Sequence, residues 1–171
     1  MTIINKPIPK QGNNPDKKIT PDTIVIHYNG VAGVSAERLA LCLYNDNTGT
    51  HASANYCVDD KTIICTIPAG KMSYGVTGEN DHIINIEVCY NDPAGRFELL
   101  TIAKLRMLVK KLMTTYKIPA SRVVRHYDIS HTKKSCPMFY VEHPEEWERL
   151  HLIFTTGKVA RELWHIGYNV Y

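Results

Sequence analysis

The sequence predicts a single α/β domain in which a central mixed β-sheet is flanked by α-helices. Apolar segments of strand length alternate along the chain with segments of helical periodicity, and this pattern is typical of a sheet covered by helices. The chain has 171 residues, of which 44% are hydrophobic and 22% are charged, as in globular proteins of one domain. No apolar run approaches the ~20 residues that span a bilayer, so we expect no membrane insertion.

Five segments have the character of β-strands. They are residues 23–28, 53–58, 62–67, 83–90 and 123–127. The first is almost continuously apolar, which predicts a strand that is buried on both faces. The second and third flank the turn residues Asp59, Asp60 and Lys61, which predicts a hairpin. In the fourth the side chains alternate, so Asn85 and Glu87 share one face.

Four segments have helical character. Ser35 is a suitable N-cap for a short helix whose apolar stripe would include Ala36, Leu39, Cys42 and Leu43. Residues 101–116 form the strongest pattern, and Pro119 would end that helix. Residues 144–154 predict another amphipathic helix that begins at Pro144. A last helix is expected over residues 161–165.

The two ends of the chain differ in composition from its centre. Residues 1–21 are rich in Pro, Asn and Lys and have no period, which predicts an extended arm. Residues 22–156 would form the folded domain, with a long surface loop over residues 68–81. Residues 157–171 are too few for a domain and would form a C-terminal helix or the start of a linker.

Charge and cysteine content exclude several classes of protein. The 20 Lys and Arg residues are scattered and nearly balanced by 17 Asp and Glu residues, so nucleic-acid binding is not expected. Five cysteines make an odd count, and none forms a CxxC pair. This pattern argues against a disulfide framework and favours buried thiols. Nothing in the sequence indicates an obligatory protein partner.

Two histidines and one cysteine are candidate metal ligands. His27 and His126 lie near the ends of predicted strands and precede loops, where α/β proteins place functional groups. Cys136 follows ten residues after His126. Two imidazoles and a thiolate suit a catalytic Zn²⁺, which keeps three protein ligands and acidifies a water in the open position. On spacing alone, these residues fit ordinary core or loop positions equally well.

Two further residues could carry out chemistry beside such a metal. Glu87 is an acid in an otherwise apolar strand and is a candidate general base. Lys134 lies two residues before Cys136 and could stabilise an oxyanion. Each also has an ordinary interpretation, because Glu87 could be a satisfied buried carboxylate and Lys134 a solvated loop charge.

Five segments in order resemble the type 2 N-acetylmuramoyl-L-alanine amidases. They are IVIHYN at 24–29, SANYCVD at 53–59, INIEVC at 84–89, VRHYD at 124–128 and KSCP at 134–137. This family comprises the zinc amidases of phage endolysins and bacterial autolysins, and it shares its fold with peptidoglycan recognition proteins. The resemblance implies that residues 22–156 are a zinc amidase catalytic domain with the site in a surface groove at the end of the sheet.

The family pattern implies a role for each matching residue. His27, His126 and Cys136 would hold one Zn²⁺ per chain, with no organic cofactor. Glu87 would be the general base and Lys134 the oxyanion stabiliser. The resemblance further implies that the substrate is bacterial peptidoglycan. The scissile bond would be the amide between N-acetylmuramic acid and L-alanine of the stem peptide.

The chain departs from the family pattern near the predicted groove. The family commonly has His at the position of Asn55, and Trp-His-Ala-Gly where this chain has residues 73–75. Some relatives have a catalytic Tyr where this chain has Ala54, which leaves the base role to Glu87 alone. The loop between His126 and Cys136 is about two residues longer than in many relatives. Candidate substrate contacts are Tyr28, Asn29, Asn55, Tyr74 and His131.

Other interpretations remain open from the sequence. The same fold could bind peptidoglycan without cleaving it, although such recognition proteins typically lack the cysteine ligand that Cys136 supplies here. A purely structural zinc would need a fourth protein ligand, for which His131 is the nearest candidate. The first residues have no apolar signal region. We therefore expect cytoplasmic accumulation and action on the wall after release, as for an endolysin of a phage or prophage. A non-classically exported autolysin fits the missing signal equally well.

Overall fold

The strands and helices are described here for residues 2–10, 13–43 and 51–156 of a computed structural model. The β-strands are β1 (Ile4–Asn5), β2 (Thr23–Tyr28), β3 (Tyr56–Val58), β4 (Ile63–Cys65), β5 (Ile83–Val88) and β6 (Val123–Arg125). The α-helices are α1 (Ala36–Arg38), α2 (Leu99–Tyr116), α3 (His126–Ile129), α4 (Met138–Glu142) and α5 (Pro144–Thr156). A π-helical segment, Leu39–Leu43, follows α1, and a 3-10 turn, Ala120–Arg122, precedes β6.

The six strands form one mixed sheet in the order β1-β4-β3-β5-β2-β6. Only the β3–β4 hairpin is antiparallel, and the other neighbouring strands are parallel. The two central strands, β2 and β5, pair along their whole length, with His27 opposite Glu87. This mixed sheet with flanking helices confirms the predicted fold class.

Helices cover both faces of the sheet. On one face α2 and α5 pack over the central strands and bury a large apolar cluster that includes Ile26, Ile86 and Phe154. On the other face Ala36 and Leu39 pack against Cys57 and Ile64. Each large apolar side chain buried in these layers contributes about 1.5–3 kcal/mol to folding. No helix within the described residues is both long enough and apolar enough to cross a membrane.

Most of the predicted elements agree with the structure. Strand β2 has the predicted bounds, and the hairpin of β3 and β4 surrounds the predicted turn. Along β5, Ile84 and Ile86 face the large core while Asn85 and Glu87 face the other side, as the alternation indicated. Ser35 accepts a hydrogen bond from the backbone of Arg38 and so caps α1, as predicted.

Several short elements were not predicted. The segment 1–21 contributes β1, which pairs with β4, and buries Ile8. The strand expected over residues 123–127 ends at Arg125, and His126 begins helix α3 instead of ending the strand. Helix α4 was also missed. The predicted helix over residues 161–165 lies outside the described residues, as does the whole segment 157–171.

The carboxylate of Asp59 joins the β3–β4 hairpin to helix α1. One oxygen accepts the backbone N–H of Ala36 at 2.8 Å, which satisfies a donor in the first turn of the helix. The other oxygen accepts the backbone N–H groups of Lys61 at 2.8 Å and Thr62 at 2.6 Å. Asp59 is only 6% exposed, so water cannot replace these bonds easily. The hairpin and α1 are therefore held in one arrangement.

We predict that Asp59→Ala destabilises the protein strongly. The substitution leaves three backbone donors near the hairpin without their charged acceptor, so we expect the free energy of unfolding to fall by about 2–4 kcal/mol. Urea denaturation followed by circular dichroism measures this difference. Asp60→Ala at the same turn is the matched control, and we expect a change of about 0.5 kcal/mol or less. Equal losses in the two variants would contradict the role of Asp59.

Candidate metal centre

His27 lies next to last in β2, at the end of the sheet where the chain turns into a loop. Its side chain shares a face with Asn85 and Glu87 of the neighbouring strand because β2 and β5 pair in register. The ring is 2% exposed. Its Nε2 atom lies 2.9 Å from Oδ1 of Asn85, and its Nδ1 atom lies 3.9 Å from Sγ of Cys136.

His126 is positioned by the junction between β6 and α3. The backbone N–H of Arg125 donates to Asp128, and the guanidinium of Arg125 binds the same carboxylate and the carbonyl of Tyr140. These contacts fix the first turn of α3 and direct His126 toward β2. The ring centroids of His27 and His126 are 4.6 Å apart, in an edge-to-face arrangement.

Cys136 lies against both of these elements. Its carbonyl accepts the backbone N–H of Tyr127 at 2.9 Å, which ties the cysteine segment to α3. The backbone of Tyr28 hydrogen-bonds the thiol from the end of β2. The cysteine is 2% exposed. The three candidate ligands are thus held by β2, by the start of α3, and by a loop anchored to both.

The three side chains form a set that suits a metal ion. One ligand atom from each of His27, His126 and Cys136 lies within 4.8 Å of the others. Nδ1 of His126 is buried and has no hydrogen-bond partner among the described residues, which is costly for a polar atom unless another group binds it. Two imidazoles and one thiol are a typical donor set for zinc. The arrangement therefore fits the predicted Zn²⁺.

The protonation states favour binding of a cation at this place. Burial, together with the neighbouring His126 ring and Lys134, lowers the pKa of His27 to about 3. Burial and Lys134 lower the pKa of His126 to about 4. Both rings are thus neutral at neutral pH, as metal ligands must be. Burial and Glu87 raise the pKa of Cys136 to about 12, so its thiol loses a proton only when a cation is bound.

Glu87 and Lys134 face the same cavity as the three candidate ligands. This cavity has a volume of about 250 Å³, and both residues line it together with His27, His126 and Cys136. Glu87 is half-buried and lies directly opposite His27 in the sheet. Lys134 is exposed at the rim, and its charge lowers the pKa of all three candidate ligands. A carboxylate and an ammonium group are therefore both available in the cavity beside the donor set.

The predicted substrate contacts do not all reach this cavity. Tyr28, Asn29 and Tyr74 line it, and the ring of Tyr28 also stacks on Tyr90 at 5.6 Å. Asn55 does not line it, because it is completely buried and its amide hydrogen-bonds only other parts of the protein. The structure therefore places Asn55 behind the cavity and not on its surface.

His131 lines a second cavity of about 330 Å³, which shares Tyr74, His126 and Lys134 with the first. Its side chain is 76% exposed and pairs with Glu79 at 3.1 Å. Because it is absent from the donor cluster, it does not supply the fourth ligand that a structural zinc would need. Because they share these lining residues, the two cavities together form one groove around His126 and Lys134.

Sequence reasoning missed three residues at this site. His51 lines the second cavity and contacts the ring of Tyr74 edge to face at 5.3 Å, although no pattern distinguished it from a surface histidine. Asn85 and Ser73 are buried behind His27 and hydrogen-bond each other. The sequence did contain one indication of the pair Asn85 and Ser73. Asn85 is a polar residue within an apolar strand and shares a face with Glu87.

Known proteins resemble this chain in sequence and in structure. A family profile described as N-acetylmuramoyl-L-alanine amidase matches residues 16–139. The amidase CwlH of Bacillus subtilis (strain 168) is 30% identical over 136 residues, which cover 77% of this chain and 53% of CwlH.

A solved structure titled as a mutant endolysin from Bacillus subtilis superimposes with a TM-score of 0.76 at 26% identity, covering 90% of this chain and 99% of that one. The catalytic domain of XlyA matches similarly, with a TM-score of 0.75 at 27% identity and the same coverage.

The matches cover different shares of the relatives' length. This chain spans about half or less of the length of the curated relatives it matches, but almost the whole of the solved endolysin chain. The profile match includes His27, Glu87, His126 and Cys136, and so it covers the donor cluster and the candidate base. The chain therefore belongs to the N-acetylmuramoyl-L-alanine amidase family.

Proposed function

We propose that this chain is a zinc-dependent peptidoglycan hydrolase of the endolysin type. It would cleave the amide between the lactyl group of N-acetylmuramic acid and L-alanine of the stem peptide. The observation that carries the proposal is the buried cluster of His27, His126 and Cys136, which opens into a cavity lined by an acid and a base. The family of the chain supplies the substrate class, and its structural similarity to an endolysin from Bacillus subtilis supports the endolysin role.

His27, His126 and Cys136 would hold the metal. The neutral rings and the thiol can bind Zn²⁺ with release of one proton from Cys136. When bound with three protein ligands, Zn²⁺ supplies a Lewis acid and an acidified water in its open coordination position. The buried donor atoms keep this centre at the floor of the groove, while the cavity above it admits the substrate.

Glu87 would move the proton that the reaction requires. As the carboxylate that lines the cavity beside His27, it can accept a proton from the attacking water and pass it to the amide nitrogen of L-alanine as that group leaves. The products are then a lactyl carboxylate and a free α-amino group. Since Ala54 offers no side-chain acid, Glu87 carries out both transfers.

Lys134 would stabilise the charge that develops on the substrate. Attack on the amide carbonyl places negative charge on its oxygen, and a fixed ammonium group near that oxygen lowers the barrier. Lys134 lines both cavities of the groove, so it lies where a substrate that occupies the groove passes the metal centre.

The groove suits a polymer segment better than a small molecule. Cavities of about 250 and 330 Å³ share their lining around Tyr74, His126 and Lys134. The muramoyl unit and the stem peptide, which lie on the two sides of the scissile bond, would thus occupy one cavity each. Polar and apolar groups line this surface in nearly equal measure, as expected for a ligand made of sugar and peptide.

We predict one Zn²⁺ per chain and a single kind of product. Metal content is measured by atomic emission on the purified protein, and products are measured after digestion of purified peptidoglycan. New N-terminal alanine without new reducing sugar ends is the expected result. The variant Cys136→Ala is the control and should lose both metal and product. New reducing ends would indicate a glycosidase, and bound zinc without any product would indicate a binding module.

We predict that Glu87→Gln separates metal binding from turnover. Gln has nearly the same size but cannot accept the proton of the attacking water. We expect unchanged zinc content and unfolding temperature, with a loss of about 100-fold or more in the rate of alanine release. A variant that keeps the full rate would show that Glu87 is not the base.

We predict that two adjacent lysines have different effects on turnover. Lys134→Ala should reduce kcat by about 100-fold because it removes charge from the groove. Lys133→Ala should leave kcat nearly unchanged, since Lys133 lies 5.4 Å over the ring of Tyr127 and does not line either cavity. The two variants change net charge equally, so nonspecific attraction to the wall is matched between them. Equal losses would contradict the assignment of Lys134.

A further inference from the structure

The Nε2 edge of the His27 ring meets Asn85, the first of a row of three buried polar side chains. These are Asn85, Ser73 and Asn55, each of which is 0% exposed. We propose that this row, here called the amide relay, is a set of positioning residues that hold His27 as its Nε2–H tautomer and so keep Nδ1 free for the metal. The inference rests on the proposed function, because it concerns the metal site of that reaction.

The orientation of the relay is fixed at Asn55, its far end. The amide nitrogen of Asn55 lies 2.9 Å from the carbonyl of Lys71 and 3.3 Å from the carbonyls of Ile67 and Pro68. Backbone carbonyls can only accept hydrogen bonds, so this end of the amide must be the NH₂ group. The Oδ1 atom of Asn55 therefore points in the other direction, toward β5.

The donor and the acceptor of each further hydrogen bond in the relay are then determined. Oδ1 of Asn55 accepts the backbone N–H of Asn85 at 2.8 Å and lies 2.8 Å from Oγ of Ser73. Since an amide oxygen carries no hydrogen, the hydroxyl of Ser73 must donate here. Its only proton is then used, so Ser73 must accept from Nδ2 of Asn85, at 2.9 Å.

The last step determines the tautomer of His27. With its nitrogen bound to Ser73, Asn85 presents Oδ1 to Nε2 of His27 at 2.9 Å. This oxygen is an acceptor, so Nε2 must carry the hydrogen. A neutral imidazole has one N–H and one lone pair, which leaves the lone pair on Nδ1, the atom 3.9 Å from the thiol of Cys136. In the other tautomer the lone pair of Nε2 would face a lone pair of Oδ1 of Asn85, and Nδ1 would carry the hydrogen.

Gly75 provides the space that Asn85 occupies. A Cβ atom at this position would lie 2.3 Å from Cγ and Oδ1 of Asn85 and 2.7 Å from Nδ2. All these distances are shorter than van der Waals contact, and the atoms they meet belong to a side chain that is held at both ends by the relay. The loop backbone therefore lies so close to the amide of Asn85 that only glycine fits at position 75.

We predict that loss of the acceptor at position 85 changes the tautomer of His27 and weakens metal binding. In Asn85→Leu the ring has no fixed partner at Nε2, so we expect a mixture of tautomers in the metal-free protein. Affinity for Zn²⁺ should fall by about 10- to 100-fold. Asn85→Asp retains an acceptor for the Nε2–H group, and we expect it to restore the single tautomer and most of the affinity.

Two measurements test this prediction. Long-range ¹H–¹⁵N correlation spectra of the metal-free protein at neutral pH show which nitrogen of His27 carries the hydrogen. Competition with a chromophoric chelator gives the affinity for Zn²⁺. A second variant, Ser73→Ala, interrupts the relay with little change in volume, and Thr66→Val is its control. The Thr66 hydroxyl is equally buried and donates to the backbone carbonyls of Ala54 and, at 3.3 Å, of Asn55, but it bonds no side chain of the relay.

The outcomes separate the relay from the proposed function. A mixed tautomer with weaker binding in Asn85→Leu and Ser73→Ala, but not in Thr66→Val, would support the relay. A pure Nε2–H tautomer and unchanged affinity in both relay variants would overturn it. If the unaltered chain binds no Zn²⁺, the proposed function fails, yet the tautomer spectra still decide the relay. If Asn85→Leu does not fold, Ser73→Ala alone decides between these results.

Discussion

The parallel pairing of β2 with β5 is the constraint on which the site depends. Their register places His27 opposite Glu87 and Val25 opposite Asn85, so a candidate ligand, a candidate base and an amide that bonds the ligand share one face at one end of the sheet. Strand β6 pairs with the other edge of β2 and brings His126 to the same end. A shift of one residue in the β2–β5 register would turn Glu87 and Asn85 away from His27. The apolar side chains buried on both faces of these strands make such a shift costly.

The sequence predicts those strands and helices whose position is determined by the burial of apolar side chains. Strands β2 and β5 and helices α2 and α5 were recognisable because their apolar residues follow a clear period. Strand β1 was not, since its two residues, Ile4 and Asn5, are both exposed and only pairing with β4 defines them. Helix α3 has four residues, fewer than periodicity can reveal, and Arg125 and Asp128 stabilise its first turn. Local chemistry of this kind becomes visible only when the partners are in place.

The same distinction applies to the site. The candidate ligands were found from residue type, strand-end position and family resemblance, and the structure brings them together. Asn55 was expected to contact substrate because it stands where relatives commonly carry a different polar residue. The structure places it behind the ligand, because the loop carbonyls of Ile67, Pro68 and Lys71 bind its amide. Exposure decides between these roles, and sequence alone does not give the exposure of a polar side chain next to a strand.

Two departures of this chain from the family pattern, at Asn55 and Ser73, have a common physical explanation in the amide relay. Asn55 and Ser73 both stand in segments where the family commonly has other residues, and they hydrogen-bond each other and Asn85. A change at any one of these positions would leave a buried polar group unsatisfied, which costs about 1–3 kcal/mol. The three identities are therefore coupled, and Gly75 is coupled to them through the space that Asn85 needs. In this chain residues 67–75 thus contribute both to the groove and to the relay. The Tyr74 side chain lines the groove, while the carbonyls of this segment and Ser73 hold the relay behind the candidate ligand His27.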